Sequence, residues 1–266
     1  MLMNKTKEEA LLSLPERHGR ILELLRQNGS ISVAQLSELF RVSEVTIRKD
    51  LSSLEQQKKL YRTHGSAIPV SPYIGDRHIH EKEKRNVAEK RAIGAAAARM
   101  IAHDDSIIVA SGTTMAFLAR EIVPQGHLTV VTNSVVVTQI LSQHEGVDVL
   151  QLGGLTRSSS ASVVGPFAEQ MLGHFNCSTL FLGVDGIDLD FGFTTTNMLE
   201  ASLNGAMMNA AQKVVVVADS SKFGRRGFSR ICDLEAVDLI VTDSGIQPLC
   251  LDRLRERGIE VTVVDV

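Results

Sequence analysis

Seven short runs rich in Val, Ile and Leu recur through the second two-thirds of the chain, at residues 107–110, 128–132, 147–152, 179–184, 214–218, 239–242 and 260–264. They alternate little between apolar and polar residues, which is the pattern of strands buried on both faces. Stretches with helical spacing separate them. Strands alternating with helices build a parallel sheet covered on both sides, so the expected class is α/β. Composition agrees: 44% of the 266 residues are hydrophobic, only 4% are aromatic and there is no Trp, leaving Ala, Val, Ile and Leu to fill the cores. The length suits two domains.

Residues 1–70 have a different grammar. From residue 17 to 27, Ile21, Leu22, Leu24 and Leu25 recur at helical spacing, and Asn28-Gly29 supplies a left-handed stop. A short strand at 30–32 follows. Val33, Leu36, Leu39 and Phe40 then mark a second helix, and Ser43 can cap a third from 44 to about 57. Helix, helix, tight turn, helix is the helix-turn-helix pattern. On the third helix Ile47, Leu51 and Leu54 share one face, and Val45, Lys49 and Ser52, flanked by Thr46, Arg48 and Ser53, share the opposite one. Cations, hydroxyls and a branched methyl suit phosphates, base edges and a thymine methyl in a major groove. Residues 58–67, with Arg62, His64 and Gly65, read as a strand, a turn and a short return, the wing of a winged helix. The expected DNA-contacting residues are Ser43, Val45, Thr46, Arg48, Lys49, Ser52, Arg62 and His64.

Charge divides the same way. Residues 1–70 hold eleven Lys and Arg against eight Asp and Glu, a net of +3, and the whole chain is −3, so the remainder is −6. A basic head on an acidic body points to a polyanion at the head. Pro69, Pro72, Gly75 and the charge run 81–85 read as a connector. The expected division is a DNA-binding domain at 1–70, a linker at 71–86 whose charge run is a solvated helix start, and an α/β domain at 87–266.

In a parallel sheet ligands bind beyond the carboxyl ends of the strands. Ser111-Gly112-Thr113-Thr114 follows the first run, at a helix start where N–H groups and hydroxyls suit an anion. Thr132-Asn133-Ser134, Gly153-Gly154, Asp185-Gly186-Ile187-Asp188 and Asp219-Ser220-Ser221-Lys222 follow later runs. Donors for a phosphate, Asn133 and Asp185 for hydroxyls, and Lys222 for charge balance match a phosphorylated polyol. There is no Walker loop and no G-x-G-x-x-G, which argues against a nucleotide. Cys177, Cys232 and Cys250 lie far apart outside any C-x-x-C spacing, so no metal, disulfide framework or cofactor is expected. No apolar run approaches a membrane span and the first residues have no apolar leader core, so a soluble cytoplasmic protein without membrane partners is expected.

Ser43-Glu44-Val45-Thr46-Ile47-Arg48-Lys49-Asp50-Leu51 with the Arg62-Thr63-His64-Gly65-Ser66-Ala67 wing resembles the N-terminal signature of DeoR-type bacterial transcriptional regulators. Ser111-Gly112-Thr113-Thr114, Thr132-Asn133, Gly153-Gly154, Gly183-Val184-Asp185-Gly186-Ile187, Gly192-Phe193-Thr194-Thr195, Glu200-Ala201 and Asp219-Ser220-Ser221-Lys222-Phe223 look like that family's C-terminal sensor domain. The resemblance implies a fold similar to ribose-5-phosphate isomerases, a sugar-phosphate inducer, and an effector site at Ser111, Gly112, Thr113, Thr114, Thr132, Asn133, Ser134, Gly153, Gly154, Asp185, Glu200 and Lys222. Segments 179–188 and 219–223 look most like amino-sugar or galactitol-type regulators within it. The chain departs from the family at Lys49 and Ser66, commonly Arg and Gly, and at Ala110, commonly Asp.

The expected function is therefore a repressor of a carbohydrate operon that binds operator DNA as a homo-oligomer, dimer or tetramer, and is relieved by a phosphorylated sugar. The alternative is an isomerase with an appended DNA-binding head, using Glu200 as base and Asp185 to orient it. Residues 189–196 lack the Lys and the Gly-rich loop that isomerases carry there, which favours sensing. A protein-interaction module is the third reading.

Overall fold

The computed structural model describes residues 13–28, 31–57, 59–63, 66–69 and 78–266, and the chain divides into two units, Met1–Pro72 and Tyr73–Val266. In the first unit, α1 (Leu14–Asn28), β1 (Ile31–Ser32), α2 (Val33–Phe40) and α3 (Glu44–Gln56) precede a hairpin of β2 (Leu60–Thr63) and β3 (Ser66–Pro69). β3 pairs antiparallel with both β1 and β2, Ile31 and Arg62 facing Ala67 from either side. Serines start both later helices. Ser32 forms a reciprocal capping box with Gln35, and the Ser43 hydroxyl accepts from the Thr46 N–H. Arg41, at φ 52°, makes the left-handed turn between the two helices. Ile47, Leu51 and Leu54 are 0–1% exposed and pack with Ile21, Leu25, Leu36 and Leu60. The helical stripe read from the sequence is this core.

The second unit opens with α4 (Ile79–Glu83) and α5 (Val87–Ala98). Residues 78–86, expected as part of a linker, therefore belong to the folded α/β unit. Then come β4 (Ser106–Val109), α6 (Thr113–Glu121), β5 (Leu128–Thr132), α7 (Val135–Leu141), β6 (Val147–Gln151), the hairpin β7 (Leu155–Arg157) and β8 (Ser162–Val164), α8 (Pro166–Leu172) and β9 (Cys177–Leu182). β10 (Gly186–Asp188), β11 (Gly192–Thr195), α9 (Met198–Asn209), β12 (Ala211–Val217), β13 (Ser229–Cys232), β14 (Leu239–Asp243), α10 (Pro248–Glu256) and β15 (Glu260–Val264) complete it.

All seven apolar runs are strands of one parallel sheet, ordered β15-β14-β12-β9-β4-β5-β6. Alternate residues of its central strands feed two cores. Ile108, Leu180, Leu182 and Val216 pack with α8, α9 and α10, while Ile107, Val109, Phe181 and Val215 pack with α5, α6 and α7. From β4 the chain winds outward through β5 and β6, then returns to lay β9 on the other side of β4. This reversal makes the gap between β4 and β9 the topological switch point, where loops diverge to opposite faces and leave a crevice. The small antiparallel sheet β10-β11-β13 and the β7-β8 hairpin stand beside it. Their strands are three or four residues long and carry no apolar run, so the sequence did not announce them. Among the described residues, no helix is long and apolar enough to cross a membrane.

Candidate nucleic-acid face and ligand cavity

In the first unit, Val45, Arg48, Lys49 and Ser52 line a shallow depression on the outer face of α3, with Ser53 and Gln56. Val45 is 59% exposed, an apolar side chain facing water on a helix whose other face supplies the core. Arg48 leans on Glu44 one turn back, Nη2 to Oε2 at 2.7 Å. Ser43 and Thr46 sit at the helix start with hydroxyls 2.9 Å apart. Arg62 turns toward α3. Its guanidinium folds back onto α3, where Nη1 donates to the Ser52 hydroxyl and Nε lies 3.7 Å from Glu55 Oε2, while its backbone N–H donates to Glu55 Oε1 at 2.9 Å. It braces the wing against α3 in this conformation. His64 lies outside the described residues.

One residue of this helix was missed. Asp50 is 3% exposed and accepts from Arg17 of α1 through two nitrogens, while His18 Nε2 lies 3.4 Å away. The signal was available, because Asp50 follows Ile47 by three positions and precedes Leu54 by four, on the buried stripe.

In the second unit a cavity of about 70 Å³ opens at the β4/β9 switch point. Ser111, Gly112, Thr113 and Thr114 form one wall, Asp185 and Glu200 another, and Lys222 enters from the turn after β12. Gly112, at φ 137°, takes a backbone conformation that L side chains rarely adopt, and α6 begins with no side-chain cap. The first-turn N–H groups of this nine-residue helix thus have no side-chain cap, and with the positive dipole end they suit an anion.

The carboxylates are firmly held. Asp185 Oδ1 accepts from Lys82 Nζ at 2.8 Å, and Oδ2 accepts from the Thr196 N–H at 3.3 Å. The Thr195 hydroxyl stands 3.2 Å from Asp185 Oδ2 and 3.1 Å from Glu200 Oε2; with a single proton, it can donate to one of them at a time. Glu200 is also paired with Arg157. Burial opposes ionisation of Asp185, but the charges of Lys82 and Lys222 and the hydrogen bonds of Lys82 and Thr195 outweigh it and hold the carboxyl at about 2. Burial pulls the Lys222 ammonium down, against the support of Asp185 and Asp219. Two cations, two carboxylates and a helix N-terminus around one small volume can bind an anion and hydrogen-bond to hydroxyls.

Five expected effector residues do not line this cavity. The Thr132 hydroxyl donates to the Val109 carbonyl at 2.6 Å, the Asn133 amide donates to the Val163 carbonyl at 3.0 Å, and the Ser134 hydroxyl accepts from the Val137 N–H at the start of α7. The Gly153 N–H points at Met171 Sδ. Gly154, at φ 150°, lets the Val164 carbonyl approach to 2.7 Å from where a Cβ would stand. These turns end β5 and β6, on the far side of β4 from the switch point. Ala110, where the family commonly has Asp, is 1% exposed in the core of one sheet face. The cavity instead recruits residues that were missed: Ile79 and Lys82 of α4, Ser159 and Ser160 between β7 and β8, and Asn204 of α9. The charge run expected to be solvated thus sends Lys82 into the site.

The DeoR-like helix-turn-helix domain model matches residues 17–72, and the DeoR C terminal sensor domain model matches residues 85–244. The HTH-type transcriptional regulator YulB of Bacillus subtilis (strain 168) is 37% identical over 94% of this chain and 96% of its own length. The transcriptional repressor AccR of Agrobacterium fabrum (strain C58) is 35% identical over 89% of this chain and 92% of its own. Among solved structures, ribose 5-phosphate isomerase A from Methanocaldococcus jannaschii is 15% identical, with a TM-score of 0.38 over 52% of this chain and 55% of that one. With the sensor-domain model matching more than half of the chain and a relative 37% identical over 94% of it, the chain belongs to the DeoR family of DNA-binding transcriptional regulators.

Proposed function

We propose that this regulator is a cytoplasmic repressor of a carbohydrate-utilisation operon, released from its operator when a phosphorylated sugar enters the cavity at the β4/β9 switch point. The observation that carries the reading is the uncapped N-terminus of α6 sharing one cavity with the cations Lys82 and Lys222 and the carboxylate Asp185. The sign of regulation is carried over from relatives such as AccR, a transcriptional repressor. On α3, Val45, Lys49 and Ser52, flanked by Thr46 and Arg48, would read the major groove, with Ser43, Arg62 and His64 toward the DNA backbone. One recognition helix reads few bases, so the active form is a homo-oligomer on paired half-sites.

For release, the sugar phosphate must prefer the conformation that does not bind DNA, since equal affinity for both would shift nothing. Glu200 is the candidate base of the isomerase alternative, but its carboxylate already engages Arg157 and Thr195, a tethering that suits a binding wall. The test is incubation of the purified protein with aldose and ketose phosphates. Calorimetric binding without interconversion supports a sensor, and turnover of any of them overturns it in favour of the enzyme.

A further inference from the structure

We infer that α4 is a strap across the ligand cavity, latched by the Lys82–Asp185 ion pair, and that a sugar phosphate unlatches it by taking Lys82 from Asp185. The inference rests on the effector reading above and adds to it the residue through which occupancy is passed on.

Three observations carry it. The first is size. The cavity encloses about 70 Å³, whereas pockets that hold small ligands run to roughly 300–1,000 Å³. Ile79 and Lys82 of α4 form part of its wall, so displacing α4 is a direct way to enlarge it.

The second is how α4 is held. At five residues it is too short to be stable alone and depends on tertiary ties. The Ile79 N–H donates to the Ser159 carbonyl at 2.7 Å, and Lys82 Nζ donates to Asp185 at 2.8 Å. Lys90 Nζ donates to the Lys82 carbonyl at 2.6 Å, and Asn86, three residues past the helix, donates to Asp219 at 2.8 Å. Ser159, Asp185 and the Asp219 to Lys222 turn all border the cavity or lead into it. A ligand there meets the residues that hold the strap.

The third is charge. A phosphate offers Lys82 a stronger partner than one carboxylate. Asp185, once released, keeps Thr195, Thr196 and the nearby Lys222 charge, so it is not stranded as a lone buried anion and can accept from sugar hydroxyls. Only residues 73–78 separate α4 from the last residue of the DNA-binding unit. With the latch closed the regulator is DNA-competent, and with the strap open it is induced.

The test uses the full-length protein and an operator that the wild type selects from random duplex DNA. Lys82→Gln cuts the latch and is expected to lower operator affinity at least about tenfold with no sugar phosphate present, the size of an ordinary allosteric coupling. It is also expected to speed hydrogen exchange at the Ile79 amide. Lys82→Arg, which keeps the charge, restores both, and Glu81→Gln on the exposed side of α4 behaves as wild type. Asp185→Asn breaks the same pair from the other side and serves if Lys82→Gln does not fold. Wild-type operator affinity and unchanged Ile79 exchange in a folded latch variant overturn the strap. Glucose 6-phosphate, fructose 6-phosphate, ribose 5-phosphate and inorganic phosphate are then added to the wild-type complex. If none releases the operator, the effector reading fails, while the latch variants still decide the strap.

Discussion

Arg17 of α1 grips Asp50 of the recognition helix with two nitrogens, Nε to Oδ2 at 2.5 Å and Nη2 to Oδ1 at 3.1 Å, in a pair almost shut off from water. The pair ties α1 to the buried face of α3, which also carries Ile47, Leu51 and Leu54. Breaking a buried pair by removing one partner costs about 3–5 kcal/mol, because a charge stays behind in a poorly hydrated place. Asp50→Ala is therefore expected to speed hydrogen exchange of α1 and α3 amides by about a hundredfold or more and to abolish operator binding, although Asp50 itself faces inward. Unchanged exchange would show that the pair is dispensable.

Arg48 gives the opposite result. Its ion pair with Glu44 is exposed and one turn apart, a contact of about 0.3–0.5 kcal/mol. Arg48→Ala should leave unfolding in urea within about 0.5 kcal/mol of wild type and weaken operator binding by about 1–3 kcal/mol if it meets a base edge. If Arg48 meets a phosphate instead, the slope of log affinity against log salt becomes shallower by about one. Fluorescence anisotropy at several salt concentrations separates the two contacts.

Lys222→Ala is expected to keep operator binding and lose release by sugar phosphates. The variant removes a cation from beside Asp185 and Asp219 and leaves every residue of the first unit unchanged. Operator release titrated with the sugar phosphate that induces the wild type checks it. Release at the same concentration would remove Lys222 from the effector site.

Lys90 carries a pH signature. Burial pushes its ammonium down to about 8 from the ordinary 10.5. Between those values the unfolded chain holds the proton and the folded chain has released it, so this group's contribution to stability rises with pH across the window and is flat below about 8. The wild type should gain on Lys90→Met by the order of 1 kcal/mol per pH unit from pH 8 to pH 10. Urea unfolding at unit steps of pH measures the gain, and a constant difference would mean that Lys90 titrates normally.

The cavity shows which parts of such a site can be read from residues in order. Ser111, Gly112, Thr113 and Thr114, Asp185 and Lys222 were legible because each closes an apolar run, and the ends of parallel strands share one edge of a sheet. Thr132, Asn133, Gly153 and Gly154 close apolar runs just as plainly and yet stand outside the cavity. Their chemistry is not at fault: β5 and β6 lie on the wrong side of β4, and strand order is not written in any local pattern. Lys82 failed in the reverse direction. Surrounded by Glu81, Glu83 and Lys84 it reads as one charge of a solvated run, and its partner Asp185 is 103 residues away.

By itself the sequence determined the seven strands of the large sheet, the helices of the first unit and their buried faces. The buried stripe of α3, the serine caps and the seven unalternating strands follow from side-chain periodicity and local hydrogen bonding, interactions that reach only a few residues along the chain. The tertiary structure alone decided which strand ends meet, that Asp50 is a buried strut, and that α4 sends Ile79 and Lys82 into the cavity wall. Each depends on packing helices against two faces of one sheet, or two helices against each other, and so on contacts between residues far apart in the chain.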